Sequence, residues 1–71
     1  MPEERKYLAS SHIESVQYDK EDSTLQITFV SGDEYTYYGI SESLYNDLIS
    51  ADSHGKFYHQ NIKGQYENDQ E

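Results

Sequence analysis

Three short runs of the chain alternate apolar and polar residues, and the pattern then changes to helical spacing. The alternating runs lie at residues 12–18, 24–30 and 34–38, and a period of two is typical of strands with one buried face. Short polar connections at 19–23 and 31–33 separate the runs. Because parallel pairing needs longer crossovers, this spacing predicts an antiparallel meander of three strands.

The second and third runs indicate which face of the sheet is buried. Leu25, Ile27 and Phe29 point to one side of the second strand, and polar residues fill the alternate positions. Tyr35 and Tyr37 share one face of the third strand. These two tyrosines are therefore expected to form cross-strand pairs with the apolar residues of the second strand.

The first run is irregular where it begins. Val16 and Tyr18 share a face, whereas Ile13 is out of phase with them. One extra residue in a strand changes the phase of the side chains that precede it. We therefore expect a β-bulge or an irregular strand start close to Ile13.

Helical spacing after the last strand predicts two helices. Ser41 is a candidate N-cap for a helix at 42–51, because a serine hydroxyl can accept a hydrogen bond from the first helical turn. Ser53 can cap a shorter helix at about 56–62, and Gly64 just beyond it fits a helix C-terminus. Both helices should pack on the apolar face of the sheet.

These elements predict an α+β fold in the order β-β-β-α-α, with two short helices on one face of a three-stranded antiparallel sheet. A single domain is expected at residues 10–66, between a flexible segment at 1–9 and a disordered acidic tail at 67–71. The predicted core consists of Val16, Tyr18, Leu25, Ile27, Phe29, Tyr35, Tyr37, Leu44, Leu48, Phe57 and Ile62.

The composition places this fold near the lower size limit for a core without covalent support. The chain has 71 residues and no cysteine, which excludes disulfides and thiolate metal sites. Hydrophobic residues make up 34% of the chain and mean hydropathy is −1.02, but the aromatic share is 14%. The core must therefore rely on tyrosine, whose ring can be buried while its hydroxyl reaches the solvent boundary.

Charge and hydropathy restrict the class of partner and the compartment. The formal net charge of −9 disfavours nucleic acid at long range and suits basic proteins. Residues 53–66 differ because they contain Lys56 and Lys63 and no acid. The sequence has no apolar run of about 18 residues, and residues 1–6 lack the apolar region of a secretory signal. We therefore expect a cytoplasmic protein with no membrane partner.

A set of short motifs runs in order through the predicted domain. Its members are Ser10-Ser11-His12-Ile13, Val16-Gln17-Tyr18-Asp19, Leu25, Ile27, Phe29, Ser31-Gly32, Tyr35-Thr36-Tyr37, Ile40, Leu44-Tyr45, Leu48, Ser53-His54-Gly55-Lys56-Phe57-Tyr58, Ile62-Lys63 and Tyr66. This set resembles the KTSC domain family, a small bacterial and phage module that is also found at the C-terminus of some lysyl-tRNA synthetases. The resemblance implies a compact β-then-α domain of uncharacterised activity, and the attachment to a synthetase suggests RNA as a partner. After the aromatic pair that follows Gly55, the family usually has asparagine, whereas this chain has His59.

The chemistry-bearing residues do not form a pattern that predicts catalysis or metal binding. Asp19, Glu21 and Asp22 lie in a polar turn, which lacks the burial that paired catalytic carboxylates need. His54 and His59 are five residues apart, whereas helical metal-ligand pairs prefer spacings that place both on one face. We therefore expect a protein that is not an enzyme and that has no cofactor and no metal site.

Two binding hypotheses remain for this chain. In the first, the protein is a binding or adaptor module that contacts RNA, tRNA in particular, through Lys56, His59 and Lys63, because cations contact phosphate and nearby aromatics stack on unpaired bases. Tyr38 is a fourth candidate contact on the opposite face of the sheet. In the second, a protein partner binds the acidic surface or that exposed sheet face. Convergence of Tyr38 with the three basic residues would favour RNA, and separation would count against it.

Overall fold

The computed structural model describes residues 5–8 and 10–70. Its elements in chain order are β1 (Lys6–Tyr7), β2 (Ile13–Asp19), β3 (Thr24–Phe29), β4 (Glu34–Tyr38), α1 (Glu42–Ser50), α2 (His54–Asn61) and β5 (Asn68–Gln70). All strands belong to one antiparallel sheet in the order β1-β2-β3-β4-β5. Residues 1–4 and 9 of the predicted flexible segment, and Glu71 of the predicted tail, lie outside the described residues.

The α+β class and the antiparallel meander are confirmed, but the sheet has five strands and not the three that were predicted. β1 pairs with β2, and β5 pairs with β4 from Tyr35 to Tyr37. The residues of both added strands are exposed. Main-chain hydrogen bonds hold an edge strand whatever its side chains are, so alternation of apolar residues does not reveal these two strands.

The register of the central strands follows the predicted pairing. Tyr37 lies opposite Leu25, and Tyr35 lies opposite Ile27. Leu25, Ile27 and Tyr37 are buried, and Tyr35 is partly buried. One face of β3 and β4 therefore forms the floor of the core, as the alternation indicated.

The first run of the sequence contains the expected irregularity. The register between β2 and β3 shifts between Ile13 and Ser15, where Ile13 pairs with Phe29 and Ser15 with Thr28. This bulge brings Ile13 onto the core face together with Val16, and both side chains are fully buried. Ile13 is therefore a core residue, which its phase in the sequence did not predict.

Both helices begin at the predicted serine caps. The Ser41 Oγ accepts a hydrogen bond from the Leu44 amide at 3.1 Å, and the Ser53 Oγ accepts one from the Lys56 amide at 3.3 Å. The second helix starts at His54, earlier than predicted. Neither helix in the described part of the chain is long and apolar enough to span a membrane.

The helices cover the apolar face of the sheet and enclose the core. Its buried hydrophobic members are Ile13, Val16, Tyr18, Leu25, Ile27, Tyr37, Ile40, Tyr45, Leu48, Tyr58 and Ile62. Four predicted core residues are only partly buried at its margin, namely Phe29, Tyr35, Leu44 and Phe57. Their incomplete burial is what leaves aromatic surface accessible on this side of the molecule.

Tyrosines supply much of the core, and each is buried with a partner for its ring or hydroxyl. The rings of Tyr18 and Tyr45 stack with centroids 4.7 Å apart and an interplanar angle of 11°. The Tyr18 hydroxyl donates to the Ile40 carbonyl oxygen at 2.7 Å. This pairing offsets the cost of burying a phenol and fixes the chain where it leaves β4 for α1.

Candidate functional site

Four aromatic side chains form a continuous group at one end of the core. The aromatic cluster, as we call it, consists of Phe29, Tyr35, Tyr37 and Tyr58. Phe29 contacts Tyr35 and Tyr58 edge to face, with centroid distances of 5.5 and 5.3 Å. Tyr37 contacts Tyr58 in the same way at 5.8 Å and lies against Tyr35 at 6.3 Å. The rings hold one another in fixed orientations because edge-to-face contacts are directional.

A hydrogen bond between two tyrosine hydroxyls joins α2 to the sheet within this cluster. The hydroxyl oxygens of Tyr37 and Tyr58 form a short hydrogen bond in a buried position. Burial, followed by the hydrogen bond with Tyr37, raises the pKa of Tyr58 far above its ordinary value. Tyr58 therefore stays protonated near neutral pH, which makes it a positioning and packing group and not a general base.

Two adjoining grooves lie beside the aromatic cluster. The larger groove has a volume of about 450 Å³. All four rings of the cluster contribute to its wall. His59 and Lys63 line it from α2 and the turn that follows. Asp33 and Asn68 add polar groups from the β3–β4 loop and from β5. The groove therefore combines aromatic surface with both cationic and anionic side chains.

The smaller groove adjoins the larger one and has a volume of about 210 Å³. Phe29, Tyr58 and His59 line both grooves. The rest of the smaller groove comes from Val30 and Ser31 after β3, from His12 before β2, and from Gly55 in the first turn of α2. Phe29, Tyr58 and His59 thus form the boundary between the two spaces.

Gly55 lets the His12 side chain lie directly against α2. A Cβ atom at Gly55 would come within 2.9 Å of His12 Cδ2, which is closer than two such atoms approach each other. The structure gives the reason for a glycine here, because the close approach forms the wall of the smaller groove.

Two of the four predicted contact residues line the larger groove, and two do not. His59 in α2 and Lys63 in the turn that follows are both exposed and line this groove. Lys56 is exposed near the start of α2 but is not among the residues that line either groove. Of the three basic residues predicted to act together, two therefore line this groove and one does not.

Tyr38 lies on the other side of the sheet from the grooves. It follows the buried Tyr37 in β4, so its side chain points to the opposite face. The Tyr38 hydroxyl donates to Asp69 Oδ2 of β5 at 2.7 Å. Tyr38 does not converge with His59 and Lys63, and by the criterion set out above this separation counts against the version of RNA binding that included it.

Arg5 covers part of the sheet face that the sequence left uncovered. Its guanidinium donates to Ser15 Oγ and Thr28 Oγ1, both at 3.0 Å, and to Gln26 Oε1 at 3.4 Å. Thr28 Oγ1 in turn donates to a carboxylate oxygen of Glu34 at 3.2 Å. This part of the face is therefore a network of hydrogen-bonded polar groups.

The sequence predicts Phe29 and Tyr35 as core residues, and it does not single out Asp33, His12 or Asn68 as contacts. The signal for the aromatic residues was an excess of rings over what a core this small can enclose. No sequence signal marks Asn68, because the strand that carries it contains only polar residues. Within residues 5–8 and 10–70, no group of three or more histidine or acidic residues is arranged to hold a metal ion.

Comparisons with known proteins give a consistent result over nearly the whole chain. The KTSC domain family model matches residues 9–66. The crystal structure of a KTSC domain protein from Yersinia pestis matches with a TM-score of 0.91 and 32% sequence identity, covering 100% of this chain and 99% of that one. An uncharacterized protein from Stutzerimonas stutzeri is 36% identical over 59 residues, which are 83% of each chain.

A longer relative contains a similar segment as a small part of its sequence. The lysine–tRNA ligase of a Nostoc species is 33% identical over 60 residues, which are 84% of this chain and 11% of the ligase. A protein from Tsukamurella paurometabola is also 33% identical, over 57 residues that are 85% of its length. On the family match, the shared fold and these relatives, the chain belongs to the KTSC domain family.

Proposed function

We propose that this protein is a small, non-enzymatic binding module for single-stranded RNA, and that the RNA lies in the larger groove. The observation that carries the proposal is the meeting of a partly exposed aromatic cluster with His59 and Lys63 in one groove. Unpaired bases stack on aromatic side chains, and the adjoining phosphates need cations. Tyr35 and Phe29 are the stacking surfaces in this proposal because both are only partly buried.

The charge of the protein sets the expected strength of binding. Lys63 is the firm cation of the groove, His59 adds charge when protonated, and Asp33 opposes both. Few phosphates are neutralised by so few cations, so the salt dependence of binding to a single strand should be shallow, with a slope of about −0.7 to −1.4. The net charge of −9 further weakens association at long range. The protein should therefore bind short single strands weakly and duplexes hardly at all.

A relative supports RNA as the ligand class. The Nostoc lysine–tRNA ligase contains a segment similar to this chain, and a ligase of that name acts on tRNA. In our proposal the domain contacts an unpaired part of an RNA, such as a loop or an end of tRNA. Such a role requires no catalytic group in the domain and is consistent with action in the cytoplasm.

An amide-resolved NMR titration of the isotope-labelled protein at low salt tests the proposal. Single-stranded oligouridylate, oligoadenylate and unmodified tRNA serve as ligands. We expect saturable shifts at Tyr35, His59, Lys63 and Gly64, and little change on the outer sheet face around Thr36. Lys63→Gln should weaken binding and make the salt slope shallower by about one.

Lys20→Gln is the matched control for Lys63→Gln. It removes the same charge from an exposed turn away from the groove, so it should leave affinity almost unchanged. Equal losses in the two variants would mean that binding follows net charge and not the groove. Absence of shifts in the groove with all three RNAs at low salt would refute the proposal.

A protein partner is the alternative function, favoured by the net charge of −9, which suits a basic surface. In this case the acidic surface and the outer sheet face, and not the groove, would make the contacts. Affinity capture followed by cross-linking at outer-face positions such as Thr36 distinguishes the two. A partner that protects Thr36 and leaves the Tyr35 amide unperturbed would favour this alternative.

A further inference from the structure

We infer that the smaller groove is a compartment for a single unstacked base, so that the ligand of the site is a step of two adjacent nucleotides. This inference rests on the proposed function and specifies the ligand of that same site. One base lies in the smaller groove and its neighbour stacks in the larger groove. The phosphate between them lies at His59, which lines both spaces.

The size of the smaller groove limits what it can hold. Its volume of about 210 Å³ is below the range of about 300–1,000 Å³ that is usual for sites of complete small ligands. One planar ring system suits such a space better than a whole nucleotide with its sugar and phosphate. The compartment therefore selects a base that has been turned out of a stack, which a duplex does not offer.

The walls of the compartment provide ring surfaces and polar groups at its edge. Phe29 and Tyr58 contact each other edge to face, and His59 lies against Tyr58 at a centroid distance of 5.7 Å. His12 also lines the compartment, where Gly55 leaves room for its ring. Aromatic and histidine rings are surfaces on which unpaired bases stack.

Charge favours a nucleotide over an apolar peptide side chain as the occupant. His59 lies at the boundary between the two grooves, where a phosphate linking two bases would pass, and Lys63 lines the larger groove. A peptide side chain would fill the same space without using either basic residue. Ser31 also lines the compartment, and its hydroxyl donates to Asp33 Oδ2 at 3.2 Å. This hydroxyl is a hydrogen-bonding group at the edge of the compartment.

Two variants close the smaller groove without touching Tyr35 or Lys63. Val30→Trp fills the opening from a residue that is 58% exposed, so the fold should tolerate it. Gly55→Val fills the compartment from the other wall and displaces His12, with a greater risk to stability. Asn46→Trp, on the exposed side of α1, is the control for adding an indole to the surface.

The experiment compares mononucleotides, dinucleotides and a longer single strand by amide shifts and affinity. We expect a dinucleotide to shift Val30 and Gly55 together with Tyr35 and Lys63. Val30→Trp should abolish the shift at Gly55 and reduce affinity about tenfold, the effect of losing one stacked base. Asn46→Trp should bind as the unaltered protein does.

The possible results separate this inference from the proposed function. If RNA shifts Tyr35 and Lys63 but Val30→Trp binds it as tightly as before, the base compartment is wrong and the RNA groove stands. If no RNA or dinucleotide shifts either groove, both are wrong. If an apolar peptide shifts Val30 and Gly55 while dinucleotides do not, the compartment belongs to a protein ligand and the inference is overturned.

Discussion

The Tyr58 side chain illustrates how one residue can serve the core and the candidate site together. Its ring separates the two grooves, and its hydroxyl is bonded to that of Tyr37. The sequence offered Phe57 and Tyr58 as neighbours, and the more apolar Phe57 was the natural choice for the core. The structure buries Tyr58 and leaves Phe57 at the margin, because a partner hydroxyl on β4 satisfies the phenol.

Removing this hydroxyl should destabilise the protein although it removes only one atom. Tyr58→Phe leaves the buried Tyr37 hydroxyl without its partner in α2, which costs about 1–3 kcal/mol. The double variant Tyr37→Phe/Tyr58→Phe should lose less than the sum of the two single losses, since no hydroxyl then remains unsatisfied. Urea unfolding measures these differences, and Tyr7→Phe at a 74% exposed residue is the control. Additive losses would show that the two hydroxyls are not coupled.

Because the pKa of Tyr58 is raised, the free energy of unfolding should vary with pH in the alkaline range. Burial and the Tyr37 hydrogen bond hold the proton on Tyr58 in the folded state, whereas an unfolded tyrosine releases it near pH of about 10. Above that pH the unfolded state binds fewer protons than the folded state, so the free energy of unfolding falls as pH rises. Below it, this contribution is fully present. In Tyr58→Phe the fall should be less steep, which unfolding curves between neutral and alkaline pH will test; an unchanged slope would contradict it.

At the scale of elements, the sequence predicts best where side-chain pattern and backbone structure coincide. β4 has the predicted bounds, and the caps at Ser41 and Ser53 are where the serines indicated. β1 and β5 were not predicted because their pairing is made by the main chain and their side chains are exposed. The larger groove was not predicted for a related reason. It lies between side chains of α2 and of the β3–β4 hairpin, which are far apart in the sequence. His59 and Lys63 could be selected by charge, but their aromatic neighbours could not be distinguished from core.

The cap of α1 provides a test of how much a local sequence signal contributes to the fold. Ser41→Ala removes the acceptor of the Leu44 amide hydrogen bond and should destabilise the protein by about 1 kcal/mol. Ser43→Ala, inside the first turn of the same helix and exposed, should be neutral or slightly stabilising because alanine is the better helix former. Thermal or urea unfolding of both variants measures the difference. Equal effects would mean that the cap hydrogen bond contributes nothing beyond helix propensity.

At the scale of the whole molecule, the edge strand β5 borders the larger groove and belongs to the acidic C-terminal segment of the chain. Its residues Asn68–Gln70 are all polar and exposed, and they are held by pairing with β4 and by the Tyr38–Asp69 hydrogen bond. Asn68 forms part of the wall of the larger groove. Asn68 is thus the residue of β5 that borders the groove, whereas the Asp69 carboxylate lies on the outer face with Tyr38.

Removing residues 67–71 should consequently increase RNA affinity several-fold, because three acids are lost and one wall of the groove opens. The triple variant Glu67→Gln/Asp69→Asn/Glu71→Gln removes the same charges and keeps the strand. If charge dominates, both proteins should gain affinity equally, with the largest gain at low salt; if the wall dominates, only the truncation should gain.

Truncation also uncovers the edge of β4, so sedimentation must accompany the binding measurements to detect edge-to-edge association. Unchanged affinity in both proteins would mean that β5 does not limit RNA access, and the acidic segment would then be a covering for the β4 edge alone.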